Sequence, residues 1–156
     1  MNRKIIAIFA LLIVAAGMSA VSAFDLGDIF GGGENQTATI GGVDFNIPAG
    51  YENDTQTVSS QFTKAFESAG YKVDAAGYAK GSTGVVIAVV DYSDFEISDE
   101  EIQQEFATGG NTTTINNITG ASTIDDGAYV FSYAKDYKYV VISADSEQTV
   151  SEFLIA

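Results

Sequence analysis

The densest concentration of potential chemistry is a run of acids: Asp91, Asp94, Glu96, Asp99, Glu100 and Glu101, six carboxylates within eleven residues. Oxygen donors converging from one loop are what a hard cation such as calcium requires, which makes Asp91, Asp94, Glu96 and Asp99 the candidate ligands. The run nevertheless lacks the glycine at the sixth loop position and the regular ligand spacing of an EF-hand. Its spacing favours a structural reading. Ser98 followed three residues later by Glu101 is a capping box, and Asp99, Glu100 and Glu101 complement the positive end of a helix beginning there.

Other catalytic constellations fail on residue type. The chain has no Cys, His or Trp. Triads and dyads that use His or Cys are therefore ruled out, and zinc, copper and iron sites lose their usual ligands. Paired carboxylates serve glycoside hydrolysis, but nothing singles out two of the 21 acids for that work. One S-x-x-K match, Ser132 to Lys135, falls in an expected strand, where period-two alternation sends the two side chains to opposite faces. No G-x-S-x-G elbow occurs, and Gly31–Gly33 lack the Lys-Ser/Thr that completes a phosphate loop. The expectation is a protein that is not an enzyme and holds no cofactor, with calcium as the one cation considered.

Two further sets of residues bear on partners. Four N-x-S/T sequons begin at Asn35, Asn53, Asn111 and Asn117, each in an expected loop or polar strand where a glycan fits. Tyr129, Tyr133, Tyr137 and Tyr139 form an aromatic row in an expected hairpin. Such a row is either an interface or, more commonly at period-two spacing, core.

The N-terminus reads as an export signal. Arg3 and Lys4 precede an unbroken apolar run over 5–16, and Val21-Ser22-Ala23 offers small residues for cleavage. Retention of 1–23 as a membrane anchor is the alternative, and the positive charge then still leaves the domain outside. Residues 24–36 form a Gly-rich linker, and 37–156 a single domain. Without 1–23 the chain holds five Lys against 21 acids, a net charge of −16. That disfavours nucleic acid and anionic lipid surfaces and leaves an unidentified surface protein or glycan as the expected partner. Membrane contact is expected only through the N-terminal segment. With no cysteine, no disulfide staples the exported domain.

Residues 84–92, GVVIAVVDY, organise the fold. Val85, Ile87 and Val89 point one way and Val86, Ala88 and Val90 the other, so this is a central strand covered on both faces. Strands at 37–40 and 43–47 flank the turn Gly41-Gly42, and Pro48 ends the second. A helix is expected over 57–69, where Val58, Phe62, Phe66 and Ala69 make one stripe and Gly70 makes the stop. Strand 71–80, with an irregularity at Gly77, leads into the central strand. A second helix is expected over 99–108, strands at 111–118, 122–124, 128–135 and 138–144, and a closing helix over 146–155. The class is α+β, a mainly antiparallel sheet with about three helices packed on it.

The segment Phe45-Asn46-Ile47-Pro48-Ala49-Gly50-Tyr51 fits a pattern F-x-I-P-x-G-Y/F followed by a helix. With GAYVFSY at 127–133 and the strand 140–144 leading into an acidic closing helix, the chain resembles small exported proteins of unknown function from methanogenic archaea. The resemblance spans 37–156, implies a cell-surface setting and assigns no catalytic residue. The strand–proline–helix opening is also similar to that of the PsbP-like sandwich, which bears on fold class alone.

Overall fold

The computed structural model describes residues 34–55, 58, 64, 66–106 and 110–156. The expected signal segment 1–23, most of the linker and most of the helix expected over 57–69 lie outside the described residues. Among those described, no helix is long and apolar enough to cross a membrane.

The elements are β1 (Gln36–Ile40), β2 (Val43–Ile47), β3 (Glu52–Asn53), β4 (Lys72–Lys80), β5 (Thr83–Asp91), α1 (Asp99–Phe106), β6 (Asn111–Ile115), β7 (Ile118–Asp125), β8 (Ala128–Lys135), β9 (Lys138–Ala144) and α2 (Glu147–Phe153). Seven strands form one sheet in the order β3-β4-β5-β9-β8-β7-β6, and β1 and β2 pair separately as a hairpin. Every pairing is antiparallel. This is the expected α+β class.

Strand β5 is interior and buried on both faces, as its unbroken apolar run predicts; the middle position itself belongs to β9. On one face Val85, Ile87 and Val89 join Val140 and Ile142 of β9 beneath Ile40, Phe45 and Ile47 of the hairpin and Val150 and Phe153 of α2. On the other, Ala88 and Val90 join Tyr139 and Val141 under Phe66 and Ile102, with Phe106 packed against them. The hairpin and α2 therefore cover one side of the sheet, and α1 and the turn carrying Phe66 cover the other. The hairpin turn lies so close to β5 that a Cβ at Gly41 would come within 2.7 Å of Val89. Gly41 also has φ +56, so glycine is required there on two counts.

The caps follow the sequence closely. The Ser98 backbone N–H donates to Glu101 Oε2 at 2.9 Å while the Glu101 N–H donates to Ser98 Oγ at 3.3 Å, a reciprocal capping box. Ser146 caps α2, accepting from the Thr149 N–H at 3.2 Å. Residues 66–68 are helical. Gly70, at φ +89, closes that turn, with Tyr71 N–H donating to Phe66 O and Gly70 N–H to Glu67 O, both at 3.0 Å. This is a Schellman motif.

Three details depart from expectation. The strand foreseen at 111–118 is broken by a two-residue turn, Asn116 (φ 49) and Asn117 (φ 64), because asparagine tolerates the left-handed region that a type I′ turn demands. Gly77 causes no irregularity, since the β4–β5 register runs through Gly77↔Val86 unbroken. It instead admits the backbone of Asp54, whose N–H donates to Gly77 O at 2.8 Å. Helix α2 stops at Phe153 rather than 155, because Leu154 turns extended and bridges to Phe45.

Candidate functional site

The acidic run is divided among several separate contacts. Among the described residues no three Asp or Glu side chains converge as metal ligands would. Asp91 Oδ1 accepts the Ser93 N–H at 2.8 Å, and hydrogen bonding from Ser93 holds its carboxyl below the usual range. Asp94 pairs with Lys72 at 2.7 Å in an exposed contact, a geometry worth little to stability. Glu96 is exposed. Glu101 is occupied by the capping box, and its hydrogen bonds from Ser98 lower its pKa.

Asp99 has a different task. Its carboxylate reaches the turn between β8 and β9, accepting the Asp136 N–H on Oδ2 at 2.9 Å and the Tyr137 N–H on Oδ1 at 2.7 Å. Both turn residues lie in the left-handed region, Asp136 at φ 52 and Tyr137 at φ 60. The type I′ form of a two-residue hairpin loop requires this geometry, and glycine usually supplies the second position. A tyrosine there stores about 1–2 kcal/mol of backbone strain. Two charge-assisted hydrogen bonds accepted by one carboxylate, together with the Tyr92 N–H donated to Tyr137 O at 2.8 Å, hold the residue in place.

This well-anchored residue presents its side chain outward: Tyr137 is 54% exposed. Just past the end of β5, Phe95 is 42% exposed and leans on Tyr71 and Tyr92, with ring centroids 5.4 and 5.9 Å away. The rings continue inward, Tyr92 to Phe106 at 5.5 Å and Phe106 stacked on Tyr139 at 4.6 Å. Phe95 thus rests on a packed aromatic column. Burial raises the phenol of Tyr92 and pushes that of Tyr139 up to about 12.

The other tyrosines of the candidate row are inside. Tyr133 and Tyr139 are 3% and 5% exposed, and Tyr129 packs at the rim of the hairpin-side core while its hydroxyl donates to Glu147 Oε2 at 3.0 Å. Of the four, Tyr137 alone is largely exposed. Ser132 is buried and Lys135 exposed, so the S-x-x-K match brings no nucleophile and base together.

The sequons lie along sheet margins. Asn53 is in β3 and Asn111 opens β6, the two edge strands of the seven-stranded sheet. Asn117 is in the β6–β7 turn, and Asn35 precedes β1. Asn35 Oδ1 accepts the Ala49 N–H at 3.0 Å, and Asn53 Oδ1 the Thr55 N–H at 3.1 Å.

Sequence reasoning placed Asp136-Tyr137 at a turn and Asp99 at a helix start but missed their connection. The available signal was the two-residue spacing of the loop, which selects a type I′ or II′ turn and with it at least one residue at positive φ. Comparison of the chain with protein families, characterised proteins and solved structures found no match.

Proposed function

We propose that the protein is an exported, non-enzymatic binding domain of the cell surface that uses the Tyr137 end of its sheet to engage a surface protein or glycan. The observation that carries this reading is Tyr137 itself, 54% exposed at φ 60 and fixed by Asp99. Strain of this kind is retained where the presented side chain has a use, since glycine would be tolerated better. Tyrosine suits the role because it supplies apolar area and a hydroxyl at small entropic cost. The excess of acids favours a partner with basic groups around its contact surface. Export rests on the charged-then-apolar N-terminal segment and on the resemblance carried by residues 45–51.

The test is photo-crosslinking in intact source cells, with p-benzoylphenylalanine placed at position 137 and, as a control, at position 124. Ile124 is 65% exposed but lies toward the opposite end of the sheet, near the β7–β8 turn. A discrete adduct from position 137 and none from 124 is expected. Equal labelling from both positions, or none from 137, sinks the proposal.

A further inference from the structure

The open margin of the large sheet points to a modification site. Strand β6 reads Asn-Thr-Thr-Thr-Ile and forms one edge of the sheet; the other edge, β3, is two residues long. Among the described residues no strand lies outside β6. Uncharged, β-branched edge strands are templates for pairing with another chain, and proteins usually blunt them with Lys, Pro or a bulge. Here β6 contains neither Lys nor Pro, and its register with β7 from Asn111↔Ser122 to Ile115↔Ile118 has no bulge. What it has instead is a sequon at each end, beginning at Asn111 and Asn117.

The geometry at each end suits an acceptor. Asn111 and Asn117 are both exposed, and neither side-chain amide is hydrogen-bonded among the described residues. The neighbouring Asn116 turns inward, its Nδ2 donating to Ser151 O at 2.7 Å and to Leu154 O at 3.1 Å. The turn thus assigns its two asparagines different work. Glycine is the usual second residue of such a turn; asparagine at φ 64 is the choice that retains the sequon.

We infer that Asn111 and Asn117 are N-glycan acceptors and that their glycans cover the β6 edge, keeping the sheet from pairing with a second copy. The donor is an oligosaccharide linked through phosphate to a lipid carrier. The amide Nδ2 attacks the anomeric carbon, the new N–C bond replaces the C–O bond to phosphate, the lipid phosphate leaves, and the displaced amide proton passes to the transferase. The inference rests on the proposed export, because such transfer occurs on the outer side of the membrane.

The test is intact-mass and peptide mapping of the native protein, followed by sizing of the enzymatically or chemically deglycosylated chain. Saccharide increments on the peptides containing Asn111 and Asn117, with concentration-dependent self-association after their removal, are expected. A chain beginning at Phe24 with both asparagines unmodified overturns the inference while leaving export intact. A chain retaining Met1 and protected from protease in whole cells overturns export, and the inference with it. The variant Asn111→Gln/Asn117→Gly removes both sites while easing the turn. It should keep the wild-type melting temperature within a few degrees yet associate at several-fold lower concentration; a variant that stays monomeric overturns the edge-covering role.

Discussion

At the scale of single residues, one carboxylate and one tyrosine carry most of the argument. Asp99 is hydrogen-bonded to two backbone N–H groups of a turn that would otherwise relax. Asp99→Ala removes both bonds and should cost about 1–3 kcal/mol, measured by urea unfolding; a loss below a few tenths would mean that the turn holds itself. Asp99→Asn keeps one acceptor oxygen and should fall between the two. Asp99 was legible from sequence as an acid in the first turn of a helix, and it stands there. Its two hydrogen-bond donors lie 37 and 38 residues away, and no local pattern reports a contact of that range. Tyr137 was legible as a turn residue, while its exposure was not: three of the four tyrosines in the row pack at or in a core, and spacing alone does not distinguish the fourth.

At the scale of elements, the asparagine pair between β6 and β7 makes a contrasting prediction. Asn116→Gly preserves the left-handed turn but loses two hydrogen bonds to the end of α2, and should destabilise by roughly 1–2 kcal/mol. Asn117→Gly loses none and should be neutral or slightly stabilising in the unglycosylated protein. Thermal melts of the two variants side by side check this, and equal losses would contradict the division of labour. Strand β5 could be read in advance because a β-branched run apolar at both parities has few other homes. The capping box and glycine stop were legible for a similar reason, since caps depend on residues three to five apart. Strand β3 was not legible: Glu52 and Asn53 have no strand propensity and pair with Ala79 and Tyr78 only because Gly77 lets the following backbone approach. The Asn116-Asn117 turn was hidden inside a threonine-rich stretch that looks like continuous strand.

At the scale of the whole molecule, burial on both faces of the sheet sets the response to alkali. Tyr133 and Tyr139 have phenols pushed up to about 12 by desolvation, against about 10 in the unfolded chain. A group with a raised folded pKa contributes its full stability below the unfolded value and loses it as pH rises through the folded one. Stability should therefore hold to near pH 10 and fall steeply between 10 and 12. Phenolate absorbance at 295 nm should show Tyr133 and Tyr139 ionising only with unfolding; their ionisation near pH 10 with the fold intact would contradict the packing. The acidic surface makes a separate prediction. Because Asp91, Asp94, Asp99 and Glu101 are distributed among the Ser93 turn, Lys72, the β8–β9 turn and the capping box, calcium at matched ionic strength should leave the melting temperature unchanged. A rise of several degrees would reveal a bound cation.

The central claim, that the strain at Tyr137 is kept for binding, is tested most directly by Tyr137→Gly, measured for melting and for capture of its partner from envelope extracts. Glycine relieves the left-handed strain, so the variant should gain roughly 0.5–1 kcal/mol while losing most of the capture seen with the wild type. A variant that is more stable and captures the same partner undiminished would show that the tyrosine has no part in binding and would contradict the account.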